Sequence, residues 1–293
     1  MVMFAKNRMR RQMNKRILWG KEIKESFTIL SYKNLIDFLD LLDFITDNRI
    51  ENIICEKTLD DEELWTWLYS KDQIKLNDIK RELSKRIERT KSVNEVEFDE
   101  MLKIVGVLNS IKTLVLLYVE KSNFHISNIK EYYIGLRRYL VMEKKDAFCK
   151  DLPDCFPNIY FSKNVESSVS TLNKKFEEIR EEIIEHLTSI NDYQSKFLQL
   201  LQENTSYQEI AQCFTTDTGI ACSPQAGRDK VQILKETYFN TKSGQEETVI
   251  CELHTKFRKF NIDKNKQDRI YFFPGKTGIK EGKVIVKHIG KHL

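Results

Sequence analysis

Proline is nearly missing from this 293-residue chain: there are four, and two of them fall after residue 218. Glycine is also scarce, with ten, of which seven lie in the last 75 residues. That scarcity excludes a collagen-like or linker-rich chain. Its lopsidedness marks where helical periodicity gives way to strands and turns. No unbroken run of about 18 apolar residues exists, so no segment reads as membrane-spanning. The nearest stretch, Ile104 to Val119, is interrupted by Asn109 and Lys112 and reads as a buried helix. Cys55, Cys149, Cys155, Cys213, Cys222 and Cys251 lack the close paired spacing of a zinc site and suit a cytoplasmic chain with reduced thiols.

Nucleotide and metal signatures are absent too. There is no Gly-rich loop closing in Lys-Ser/Thr, no dinucleotide fingerprint, no paired-His zinc motif and no Gly-x-Ser-x-Gly elbow. No cofactor is expected on this reading, and no metal. The first 20 residues carry six Lys/Arg and no acid, but they lack the apolar segment that a secretory signal needs.

What is present is a folded composition, 41% hydrophobic and 31% charged. Asn34–Asp47, Asp60–Tyr69, Asn77–Arg89, Glu95–Glu120 and Ile126–Glu143 read as helices. Asp151 to Pro157, with two prolines, breaks helix formation and reads as a joint between subdomains. From Val165 to Leu200, apolar residues step by threes and fours. This predicts one helix of roughly 54 Å, packed on a partner helix of this chain or of a second copy. A short helix, Tyr207–Phe214, precedes a loop through Ser223-Pro224-Gln225-Ala226-Gly227. Strands follow at about 230–239, 248–257, 269–273 and 283–289, predicting an antiparallel meander.

Charge separates along the same line. Residues 21–227 hold 27 Lys/Arg against 36 Asp/Glu, whereas residues 228–293 hold 15 against 8. A basic tail on an acidic body points to a polyanionic partner or to docking between the two. His254, His288 and His292, three of the five histidines, also fall in the tail. Strand alternation places Glu252, His254 and Lys256 on one face of their strand, and makes Arg269 and Tyr271 project together from theirs, with Ile270 and Phe272 turned the other way. Imidazole, guanidinium and phenol groups on one small basic sheet suit the binding, and the cleavage, of a phosphodiester.

Arg269-Ile270-Tyr271-Phe272 and, after a gap, Lys283-Val284-Ile285-Val286-Lys287-His288-Ile289-Gly290-Lys291-His292 resemble the end of the RelE/ParE toxin superfamily. The likeness covers about the last 25 residues well and the last 90 loosely. It implies metal-independent RNA cleavage, in which a 2′-hydroxyl attacks its neighbouring phosphate. His254 would then be base or acid, Arg269 would hold the scissile phosphate, and Tyr271 would stack on a base or relay a proton. Lys256, Lys283, Lys287 and His288 would complete the phosphate site.

Plainer readings of the same residues stay open. Glu252 and Lys256 can form a surface pair, His288 can be a hydrogen-bonded histidine beside Val284 and Val286, and Tyr271 can be strand packing. A metal-dependent nuclease built on Asp229, Glu252 and Lys256 has its spacing off by two residues. The expected fold is α+β: a large helical N-terminal region followed by a small antiparallel β-sheet domain of RelE-like type. The expected parts are a helical domain 1–157, linking helices 158–215 and a basic β domain 216–293. The expected function is a cytoplasmic RNA endonuclease, toxin or defence effector. RNA is its expected partner, with an inhibitory protein or a second copy on the helical region and no membrane contact. The alternative is a non-catalytic nucleic-acid- or protein-binding module.

Overall fold

The structure, a computed structural model, describes residues 14–21, 23–71, 73–107, 111–116, 124–225, 231–257 and 267–293. The basic segment 1–13, Asp229, and Ala226 and Gly227 of the expected loop lie outside these. The chain divides into two compact units, Met1–Met142 and Glu143–Leu293. Among the described residues, no helix is long and apolar enough to cross a membrane.

The first unit is not the helical region its sequence suggests. It holds a five-stranded parallel sheet of β1 (Asn14–Trp19), β2 (Glu51–Cys55), β3 (Lys91–Val93), β4 (Ile111–Leu116) and β5 (His125–Ile126), ordered β3-β2-β1-β4-β5. Around it run α1 (Ile23–Ile29), α2 (Tyr32–Asp47), α3 (Glu56–Leu59), α4 (Glu62–Tyr69), α5 (Asn77–Glu88), α6 (Glu95–Lys103) and α7 (Ile129–Leu140). The physical reason for the difference is two-sided burial. Ile17, Leu18, Trp19, Ile53, Ile54, Cys55, Leu114, Val115 and Leu116 are all buried. A parallel strand covered on both faces reads as a continuous apolar run without alternation, and a short run of that kind is indistinguishable from a buried helix.

Helix α2 shows how the layers lock. Ser31 caps it by accepting from the Asn34 amide, and Leu35, Phe38, Leu41, Leu42 and Ile45 form its buried stripe. Phe38 meets Trp19 of the central strand edge-on at 5.8 Å. Another cluster joins Leu18, Ile53, Cys55, Val93 and Val115 of the sheet to Phe98 of α6. Helix α7 is pinned to β4 by one phenol. Tyr139 Oη accepts from the Thr113 amide (3.2 Å) and donates to the Thr113 carbonyl (2.7 Å).

The second unit runs α8 (Lys145–Cys155), β6 (Ile159–Phe161), α9 (Val165–Val169), α10 (Phe176–Asp192), α11 (Gln194–Gln202), α12 (Tyr207–Thr218) and β7 (Cys222–Pro224). It ends with β8 (Lys235–Asn240), β9 (Gln245–Ile250), β10 (Leu253–Lys256), β11 (Arg269–Phe273) and β12 (Val284–Gly290). Its main sheet is ordered β6-β12-β11-β10-β7, while β8 and β9 form a separate hairpin. The sheet is mixed, not antiparallel throughout, because β6 pairs parallel to β12. The four-strand meander is corrected accordingly: within the main sheet only β10, β11 and β12 follow one another as antiparallel neighbours, and β8 pairs with β9 apart from it.

Two further expectations change. Pro153 does not end its helix; it sits in the last turn of α8, which runs on to Cys155. The long seam is three helices. Between α9 and α10 the chain turns so that the Asn173 amide and side chain donate to the fully buried Asp268 carboxylate. Between α10 and α11, which meet at Tyr193, the Asn191 carbonyl accepts from the Asn158 side chain.

Candidate functional site

Helices α10, α11 and α12 decide which way the central strands face. Thr255 of β10 bonds His186 of α10 at 2.9 Å, and Phe272 of β11 packs on Phe197 of α11 and Phe214 of α12. Alternation then turns His254, Arg269 and Tyr271 to the other face. The register completes the set: His254 pairs with Tyr271, and Tyr271 with His288, in one rung across three strands. The ring centroids of His254 and Tyr271 are 5.0 Å apart, and those of Tyr271 and His288 are 5.7 Å apart.

His288 reaches this rung through a β-bulge. Tyr271 pairs with His288 but Phe272 with Val286, leaving Lys287 as the extra residue. Paired residues share a face, so His288 and Val286 lie on opposite faces despite their spacing of two. Lys287 turns to the hairpin, where Nζ donates to the Lys235 carbonyl (2.6 Å) and pairs with Glu236 (3.1 Å).

Arg269 is the centre of the cluster. Its Nη1 donates to His254 Nε2 (3.1 Å) and, at 3.4 Å, to Tyr271 Oη. The residue is only 9% exposed, its Nε makes no hydrogen bond, and no carboxylate among the described residues pairs with it. A guanidinium can only donate, so His254 Nε2 must be an unprotonated acceptor, which also takes the Ser223 hydroxyl at 3.2 Å. The proton of the neutral ring is then on Nδ1, facing the Glu252 carbonyl at 3.4 Å. Burial first, and the Arg269 charge second, pull His254 down to about 3. His288 is lowered by burial, while its Nε2 donates to the Lys291 carbonyl at 2.9 Å. Tyr271 is raised by burial and stays a phenol at neutral pH, with Arg269 opposing the shift.

The structure thus gathers His254, Arg269, Tyr271 and His288. Lys256 pairs in register with Arg269 on the same face, and its charge contributes to lowering His254. Lys283 and Lys287 are placed elsewhere, Lys283 beside Glu281 at 3.6 Å and Lys287 on the hairpin. Two contributors carry no sequence signal. Ser223 and Gln225 fall in what reads as a loop, yet β7 brings Ser223 to His254 and Gln225 Oε1 accepts from Tyr271 Oη at 3.4 Å. His292 lies close enough to help lower His254. Among the described residues, no group of three or more His, Cys, Asp or Glu is placed to hold a metal ion.

Gly290, the last residue of β12, lets the strand pass against α9 and the turn after it. A Cβ there would stand 2.3 Å from Thr171 Oγ1 and 2.5 Å from the Ser168 carbonyl oxygen. Gly290→Ala should therefore destabilise the protein by about 1–3 kcal/mol through overpacking. Urea denaturation reads this, and an unchanged midpoint would show that the turn yields freely. No protein-family model matches this chain, and no curated protein or solved structure matches it either.

Proposed function

We propose that the second unit is a metal-independent RNA endonuclease of the kind found among RelE-like toxins. The observation that carries this is Arg269: a buried cation with no carboxylate partner among the described residues and an idle Nε, donating to the Nε2 of a neutral imidazole. Burying an unpaired charge is costly, and a bound phosphodiester would supply both the missing charge and the missing acceptor. Gln225 and the Leu293 amide each meet Tyr271 Oη at 3.4 Å, near the long limit of a hydrogen bond.

With phosphate on Arg269, the guanidinium charge is neutralised and His254 regains basicity. His254 Nε2 takes the 2′-hydroxyl proton as O2′ bonds to phosphorus. The P–O5′ bond breaks, and O5′ takes the Tyr271 proton. The products are a 2′,3′-cyclic phosphate and a 5′-hydroxyl; solvent then takes the proton from His254 and returns one to the Tyr271 phenolate. His288, held by the Lys291 carbonyl, packs Tyr271 in place.

Incubation of the full chain with RNA in excess EDTA should yield fragments ending in 2′,3′-cyclic phosphate. His254→Ala should cut at least about 100-fold more slowly while melting as a folded protein. Equal rates in the two proteins would defeat the assignment. The complete burial of Tyr271 favours a second reading, in which the sheet binds nucleic acid or protein without cutting. On that reading Lys256→Ala weakens association and no cleaved RNA forms at any protein concentration.

A further inference from the structure

Next to the cluster, a cleft of about 480 Å³ opens between the helices and the hairpin of the second unit. Leu198 and Leu201 of α11, Tyr207 of α12, Val249 of β9 and Phe273 of β11 give it an apolar wall; Glu252 also lines it, its carboxylate charge close enough to help raise the Tyr207 phenol. That carboxylate is anomalous. It has neither a hydrogen-bond nor an ion-pair partner among the described residues, and burial raises its pKa. The other acid lining the cleft, Glu247, is already paired with Lys276 at 2.6 Å. Glu252 also belongs to the cluster, since its carbonyl accepts from His254 Nδ1 and from the Gln225 amide (3.0 Å). One residue therefore faces the cleft with its side chain and holds the base of the proposed reaction with its backbone.

The chemistry of the cleft selects its occupant. A carboxylate accepts through two adjacent oxygens and donates nothing. Among the RNA bases, only guanine presents two neighbouring donors, N1–H and N2–H, along its Watson–Crick edge. Adenine and cytosine set one donor beside an acceptor, and uracil sets its single donor between two carbonyls. Flat aromatic and aliphatic walls suit the faces of an unstacked base. Glu252, just before β10, stands two residues from His254, at most about 7 Å along the chain, a separation that one nucleotide spans between phosphate and base.

We infer that this cleft takes a guanine base of the bound RNA, with the Glu252 carboxylate receiving N1–H and N2–H. The inference rests on the reading of the neighbouring strand face as an RNA site, and it gives that site a base preference. Guanine-directed cutting follows, with the preferred base adjacent to the phosphate on Arg269.

Nucleosides lack a phosphate and so report on the cleft alone. In equilibrium binding to the full chain, guanosine should bind at least about tenfold tighter than adenosine or cytidine, with inosine, which lacks N2–H, in between. Glu252→Gln should erase the preference without lowering the melting temperature, because the carboxylate has no hydrogen-bond or ion-pair partner among the described residues to lose. Tyr207→Phe, which keeps the ring, should retain it. Equal affinity for guanosine and adenosine, no nucleoside binding, or a preference that survives Glu252→Gln would each overturn the inference. If guanosine preference holds and RNA is never cut, catalysis fails and the cleft stands. If His254-dependent cutting holds but ignores guanine, the cleft fails and catalysis stands.

Discussion

Arg269→Met is expected to abolish RNA cutting and, at the same time, to make the protein more stable. The two effects have one cause. Arg269 is nine-tenths buried, with no carboxylate partner among the described residues and an unsatisfied Nε. Its effective desolvation cost is several kcal/mol. Set against that are two hydrogen bonds, to His254 Nε2 at 3.1 Å and to Tyr271 Oη at 3.4 Å. Bonds of this charged type contribute about 1.5–3 kcal/mol when well formed, and the second is long. Methionine fills the same channel without charge, so a net gain of about 1–2 kcal/mol is expected. Cutting should fall by a factor of about 1,000 or more, the cost of removing the group that stabilises transition-state charge. Urea denaturation and a cleavage assay on the same preparation decide it. A variant destabilised by more than about 2 kcal/mol would make Arg269 a structural hub, and the anion site would fall.

Acid should unfold this protein steeply, with His254 as the main cause. In the unfolded chain His254 takes a proton near its ordinary 6.5; folded, it does so only near 3. Between those values the unfolded state binds one more proton, so stability falls as pH falls through that window and is fully present above it. The contribution of this one residue is on the order of 5 kcal/mol across the whole window. His288, lowered by burial, acts in the same direction. His254→Asn should flatten the acid limb of a stability–pH curve, and taking the difference from the parent cancels the other titrating groups. Saturating inorganic phosphate should shift the parent's acid transition to lower pH, because an anion on Arg269 removes part of what lowers His254. If phosphate leaves the curve unmoved, Arg269 does not hold an anion.

Much of the site could be read from residue order, and less of the fold. Alternation alone places Arg269 with Tyr271, since both lie within β11 and no partner strand is needed. His254 and His288 depend on register, which is a property of pairs of strands. At His288 the spacing misleads: it falls in step with Val284 and Val286, yet the bulge at Lys287 sends it to the opposite face. In the first unit the amphipathic stripe of α2 is plain, because one side of that helix meets solvent. Ile111–Leu116 is opaque for the converse reason: covered on both faces, it keeps no periodicity to distinguish strand from helix. The seam from Val165 to Leu200 shows a third limit. Threes and fours continue through Asn173 and Tyr193, while the hydrogen bonds that divide the helices come from Asp268 and Asn158, far away in the chain.

The bulge in β12 leaves that strand with two alignments a single step apart. In the observed one, His288 stands opposite Tyr271. Were the strand to straighten, Lys287 would take that place, and His288 would slide opposite Ile270, among the helices. The grip of Lys287 on Glu236 and on the Lys235 carbonyl selects the first alignment. The hairpin of β8 and β9, which contributes no side chain to the four-residue cluster, therefore works as its latch: loosening the hairpin would put the chemistry out of frame while leaving every group of the cluster in the sequence.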